Sequence, residues 1–203
     1  MGFVKADITK INEVLIKWQT PLVARNSNSI VSEEIIGDFN SAYEKLLPLT
    51  SGEIRRYLLI PTTSDWVGIM DNSWLGTDRT CPSVLAKLLK TQHIFMICSP
   101  ASEEFLVNYD RFIVDSLVII RSVGVMKENG WKFQQFGTPL NFEQIEKYKN
   151  RVIKSRFTFD QLNEFLHHFK INAFDPKFYM PQNSALLISK RGPYFPATKE
   201  IFN

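Results

Sequence analysis

The sequence predicts an α+β fold: a mainly antiparallel sheet with two N-terminal helices, one mid-chain helix and two C-terminal helices packed on it. Three observations carry this prediction. Apolar residues recur at helical spacing towards both ends of the chain, short β-branched and aromatic runs cluster in its middle, and one Asn-Gly pair joins two of those runs as a hairpin. At 203 residues the chain is expected to form one domain. It divides into a helical segment 1–50, a sheet-rich body 54–140, C-terminal helices with a last strand over 141–190, and a loosely held tail 191–203.

Each element has its own local reason. Over residues 7–19, Ile11, Val14, Leu15 and Trp18 share one helical face, Asp7 or Thr9 can cap it, and Pro21 interrupts it. Ser32, Glu33 and Glu34 form a helix start, because acidic residues suit the positive end of the helix dipole; Ile35, Ile36, Phe39, Ala42, Tyr43, Leu46 and Leu47 continue the stripe to Pro48. The period then changes. Residues 54–60 and 66–71 are short apolar runs separated by a polar turn, two strands, and a loop over 72–80 follows. Pro82 suits the first position of a helix with Val84, Leu85, Leu88 and Leu89 inward, and 93–99 has the composition of a buried strand. Further strands are expected over 105–109 and 111–126. Asn129-Gly130 then turns the chain into Trp131-Lys132-Phe133, since both central positions of a type I′ turn need positive φ. Asn141 with Gln144, and Thr158 with Gln161, have the spacing of capping boxes, and the second opens a helix with Leu162, Phe165, Leu166 and Phe169 on one face. Residues 184–189 complete the set as a strand.

Composition bounds the function. The chain is 44% hydrophobic and 22% charged, an ordinary globular profile, and no stretch of eighteen residues lacks a charge, so no membrane span and no secretion signal are expected. Two cysteines, Cys81 and Cys98, suit reduced thiols in a cytoplasmic protein and are too few for a zinc cluster, so no metal or other cofactor is expected. The net charge of +3 is unevenly spread: residues 1–110 hold 10 basic against 13 acidic side chains, and residues 111–203 hold 14 against 8. Residues 121–156 alone carry eight basic and three acidic side chains, a pattern that attracts an acidic surface or forms a solvated face. Nucleic-acid modules are more basic overall, and Trp131 with Phe133 on one strand face suits a core better than a base-stacking platform.

Catalytic signatures are sparse. No G-x-G-x-x-G, P-loop, G-x-S-x-G or H-E-x-x-H occurs. Cys81 at a helix start would have its thiol pKa lowered by the dipole, yet no local signature of a cysteine enzyme surrounds it, and His93, His167 and His168 are the only histidines. The loop after the second strand holds Asp71, Asp78 and Arg79 together with Trp74. Its carboxylates match no calcium loop and suit turns that bond their own backbone, whereas a tryptophan in a long polar loop is a residue type enriched at interface centres.

The stretch Arg56-Tyr57-Leu58-Leu59-Ile60-Pro61, the run from Trp66 to Asn72 and Gly76-Thr77-Asp78, followed by Gly130-Trp131-Lys132-Phe133, Gly137, Phe142-Glu143 and Arg156-Phe157, resembles small single-domain bacterial proteins of unknown function. Some of these are similar to immunity proteins that neutralise a partner toxin. The resemblance implies a protein-binding role and assigns no catalytic residue. The expectation is therefore a cytoplasmic, immunity-like protein that binds a partner protein, not nucleic acid or membrane. Trp74, Asp71, Asp78 and Arg79 are its candidate contacts on one loop, with Lys147, Arg151 and Arg156 elsewhere. The alternative is a small-ligand protein or enzyme using Cys81 or the Asp71/Asp78 loop.

Overall fold

The computed structural model describes residues 1–113, 116–180, 184–193 and 198–202. Its elements in chain order are β1 (Gly2–Val4), α1 (Ile8–Ala24), β2 (Ser29–Ile35), α2 (Phe39–Glu44), β3 (Leu49–Thr50), β4 (Arg56–Pro61) and β5 (Val67–Asp71). There follow α3 (Thr80–Leu89), β6 (Gln92–Ser99), β7 (Glu104–Ile113), β8 (Ser116–Lys127), β9 (Trp131–Phe136), α4 (Phe159–His168), β10 (Ala185–Arg191) and β11 (Glu200–Ile201). Three short 3₁₀ turns, Ile145–Lys149, Ile153–Ser155 and Pro176–Phe178, lie before and after α4.

Nine strands form one sheet in the order β2-β10-β4-β5-β1-β6-β7-β8-β9, and every neighbouring pair is antiparallel. Both faces are covered. Leu58 and Ile60 of β4 join a core under α2, α4 and the 3₁₀ turns, with Ala42, Tyr148, Leu162, Phe165 and Leu166. Tyr57 and Leu59 point the other way, into a core with Ile11 and Leu15 of α1 and Cys81 and Leu85 of α3. A strand buried on two faces needs apolar residues at every position, which is why residues 57–60 form an unbroken run instead of alternating.

The strands expected over 54–60, 66–71 and 93–99 and the hairpin at Asn129-Gly130 are present as β4, β5, β6 and the β8–β9 pair. Asn129 and Gly130 both take positive φ, 51° and 115°, but they sit in a three-residue loop closed by the pair Lys127 and Trp131 and not in the two-residue type I′ turn expected. The expected strand over 111–126 is divided between the end of β7 and β8, and its residues 114–115 lie outside the described residues. The Thr158–Gln161 capping box forms, and Leu162, Phe165 and Leu166 of α4 are buried as the spacing required.

Other expectations are corrected. Four α-helices are present among the described residues, not five. The helix expected from Ser32 is the strand β2, paired with β10 over seven positions; a full ladder of backbone hydrogen bonds outweighs a weak local helix preference. Gly37 at φ 148° ends it, Asp38 accepts a hydrogen bond from Ser41 N at 2.8 Å, and only the six residues of α2 remain helical. Ile36 is accordingly 87% exposed. Asp7 caps α1 as expected, but the helix runs through Pro21 to Ala24 because Val23 completes the buried row of Ile11, Leu15 and Gln19. In α3 Pro82 is the third residue, and Cys81, Pro82, Leu85 and Ala86 face inward while Leu88 is 52% exposed. Asn141 caps no helix, because the carboxylate of Glu143 turns back to Leu140 N at 3.0 Å and inward to Arg121, leaving 3₁₀ turns. The expected loose tail supplies the last residue of β10, Arg191, and the strand β11, which pairs with β3; its residues 194–197 and 203 lie outside the described residues. Among the described residues no helix is long and apolar enough to cross a membrane.

Candidate functional site

The loop between β5 and α3 is built around two side chains at the end of a buried strand. Asp71, only 5% exposed, accepts Ser73 N through Oδ1 at 3.0 Å and Asp78 N through Oδ2 at 2.7 Å, so one carboxylate ties both limbs of the loop together. Asn72 is buried beside it. Its Oδ1 accepts the backbone N–H groups of Arg55 and Arg56 at 3.0 and 2.9 Å, and its Nδ2 donates to Pro48 O at 2.8 Å. Thr50 N donates to Asn72 O at 2.7 Å, and Trp74 N donates to Thr50 O at 2.9 Å, which fastens the loop to β3. Gly76, at φ 89°, makes the tight turn whose N–H reaches Ser73 O at 3.0 Å. Asp78 then accepts Thr80 N at 3.0 Å at the start of α3.

This scaffold presents apolar side chains to solvent. Trp74 is 49% and Leu75 is 86% exposed. Thr50 also pairs with Glu200 of β11, so Phe202, 73% exposed, follows a strand hydrogen-bonded to the same residue that holds Trp74. Arg79 is exposed and Asp78 half-buried at the rim. Asp71 is corrected: it is interior, holds the loop's backbone, and has no surface for a partner. Burial raises its carboxyl pKa above the usual 3.8, and the two N–H donors only partly offset that.

The basic candidates do not join this loop. Strands β5 and β9 are separated by β1, β6, β7 and β8. Lys147 and Arg151 are exposed near the 3₁₀ turns beyond β9. Arg156 is half-buried, donates from Nε to Asn150 O at 2.8 Å and lies 5.9 Å over the Phe133 ring, which gives it a packing role. Arg121, the first cation of the segment, is fully buried and bonded to Glu143. The segment is thus part interior and part surface. Trp131 and Phe133 pack against the core, as their shared face required, with Lys127 and Lys154 5.6 and 6.0 Å over the Trp131 ring.

Cys81 is also corrected. The dipole argument would lower its thiol pKa, but the sulfur is 1% exposed, and burial, then the Asp71 and Asp78 carboxylates, push it well above the usual thiol range. Such a thiol is a packing group. His168 stacks on Phe142 at 3.9 Å, and among the described residues no group of three His, Cys, Asp or Glu side chains is placed to hold a metal ion. Sequence reasoning missed the pairing of β3, which holds the Trp74 loop, with the C-terminal strand β11, which has no local signal because it joins residues about 150 positions apart. It also missed the role of Asn72.

A scan against protein-family models found no matching family. Searches of curated proteins and of solved structures likewise found no match.

Proposed function

We propose that this chain is a macromolecule-binding protein that acts by docking a partner protein on the loop carrying Trp74 and Leu75, in the manner of an immunity protein in the bacterial cytoplasm. The observation that supports it is an exposed indole on a loop whose backbone is already fixed by Asp71, Asn72 and Thr50. Interfaces place most of their energy in a few large side chains, tryptophan foremost, and a loop ordered beforehand loses little entropy on binding. Arg79 and Asp78 supply a polar rim on which charge can select the partner. The reading also rests on the resemblance of residues 54–170 to small immunity-like proteins. Thiol catalysis at Cys81 is disfavoured by its burial.

The test is affinity capture from native lysate with wild-type protein, Trp74→Ala and the distant surface variant Lys147→Ala. A partner held by wild type and Lys147→Ala and weakened by about 2 kcal/mol or more in Trp74→Ala, with little change in melting temperature, supports the proposal. Equal capture by Trp74→Ala overturns it.

A further inference from the structure

At the edge of the molecule where β4, β10 and β2 meet the end of α2, a cleft of about 490 Å³ opens between polar walls. Its basic side chains are Lys45, Arg55, Arg56 and Arg191, with Lys190 turned to the opposite face of the sheet; its acidic ones are Glu33 and Glu44. The side chains at the cleft thus carry net +2. Two of these cations are matched, Arg55 by Glu53 at 3.3 Å and Arg191 by Glu33 at 3.9 Å. The other two, Lys45 and Arg56, have no carboxylate within 4 Å among the described residues.

The charges are positioned, not merely gathered. Asn72 fixes the backbone of Arg55 and Arg56 through one oxygen. Arg56 uses Nη1 for the carbonyls of Leu46 and Leu47 at the end of α2, and its Nε and Nη2 have no acceptor among the described residues. Lys190 lies 5.6 Å over the Tyr57 ring, on the opposite face of the sheet from α2, so its ammonium does not enter the cleft; half-buried Arg56 is the cation left under-solvated there. An unmatched, partly buried cation gains more from an anion than a solvated one, because the desolvation cost has already been met by folding.

We infer that this cleft binds a small polyanion with clustered phosphate or carboxylate oxygens, held by Arg56 and Lys45. The volume is that of a small-ligand site. A guanidinium with two unused donors on one edge suits paired anionic oxygens. Exposed Glu33 and Glu44 at the cleft oppose a long polyanion running across it, which favours a compact ligand over a nucleic-acid strand.

Calorimetric titration of the full chain at physiological salt with pyrophosphate, citrate and inorganic sulfate tests this. Saturable 1:1 binding of pyrophosphate or citrate is expected, and whichever binds more tightly identifies the oxygen chemistry. Arg56→Gln and the exposed Lys45→Gln should each weaken it by about tenfold, as expected for one charge-assisted contact. Lys147→Gln, on a different surface, and Trp74→Ala should leave it unchanged, which separates this site from the protein-docking loop. Because Lys45 makes no ion pair among the described residues, Lys45→Gln reports on binding even where Arg56→Gln loosens α2. No saturable binding of any probe, or an equal loss in Lys147→Gln, overturns the inference.

Discussion

The guanidinium of Arg121, fully buried in β8, meets the carboxylate of Glu143 at 2.8 and 3.0 Å from Nε and at 2.6 Å from Nη2. Its remaining donors go to Phe136 O, Gly137 O and Gln135 Oε1, and Tyr148 donates to the same carboxylate at 2.7 Å. The group is therefore paired and satisfied on nearly every side, the condition under which a buried charge is tolerated. It also fastens the chain after β9 to the sheet, and that is what replaces the expected helix at Asn141.

Removing one member should be costly. Glu143→Ala leaves a buried guanidinium without its counter-charge and is expected to lower unfolding free energy by about 3–5 kcal/mol in urea denaturation. Lys132→Ala, which breaks the exposed pair with Glu128, should change it by less than about 1 kcal/mol. A Glu143→Ala cost as small as that of Lys132→Ala would show that the pair does not organise this region.

Gly130 tests the hairpin. A Cβ there meets nothing within 4 Å, so Gly130→Val is opposed by backbone strain at φ 115° and not by a clash. The expected cost is about 1–3 kcal/mol, seen as a lower denaturation midpoint. An unchanged midpoint would contradict the turn geometry.

Thiol labelling separates the two cysteines. Cys98 is half-exposed and should react with an aromatic disulfide reagent in the folded protein; Cys81 should react only on unfolding, since burial removes both access and thiolate. Two thiols reacting at one rate under native conditions would refute the packing role of Cys81.

The raised pKa of Asp71 has a definite sign. The folded state holds this proton more tightly than the unfolded chain, so the contribution is present below 3.8 and is lost as pH rises from there through the folded pKa. Stability curves of wild type and Asp71→Asn should therefore converge or cross in the variant's favour as pH rises through that window. A wild-type gain relative to Asp71→Asn over the same range would mean that the N–H donors outweigh burial.

What the sequence by itself determined is whatever depends on neighbours along the chain. The Thr158–Gln161 box, the Asp7 cap, the Asn129-Gly130 turn and the unbroken run 57–60 are each specified by residues a few positions apart, and each is found. The exposure of Trp74 followed from the length and polarity of its loop. Tertiary structure decided the rest. Ser32, Glu33 and Glu34 suit a helix start locally but become a strand because β10, some 150 residues later, offers seven backbone pairs. Asp71 and Arg121 carry charges that sequence reading placed outside, and the fold turned them inward because donors and a counter-charge were waiting there. The cleft of Arg56 and Lys45 has no signature in the chain, since its walls come from β4, the end of α2, β2 and β10, brought together only when the order of the nine strands is set. Local pattern sets which elements are available. Long-range hydrogen bonding and the cost of burying charge set which are used and which residues share a site.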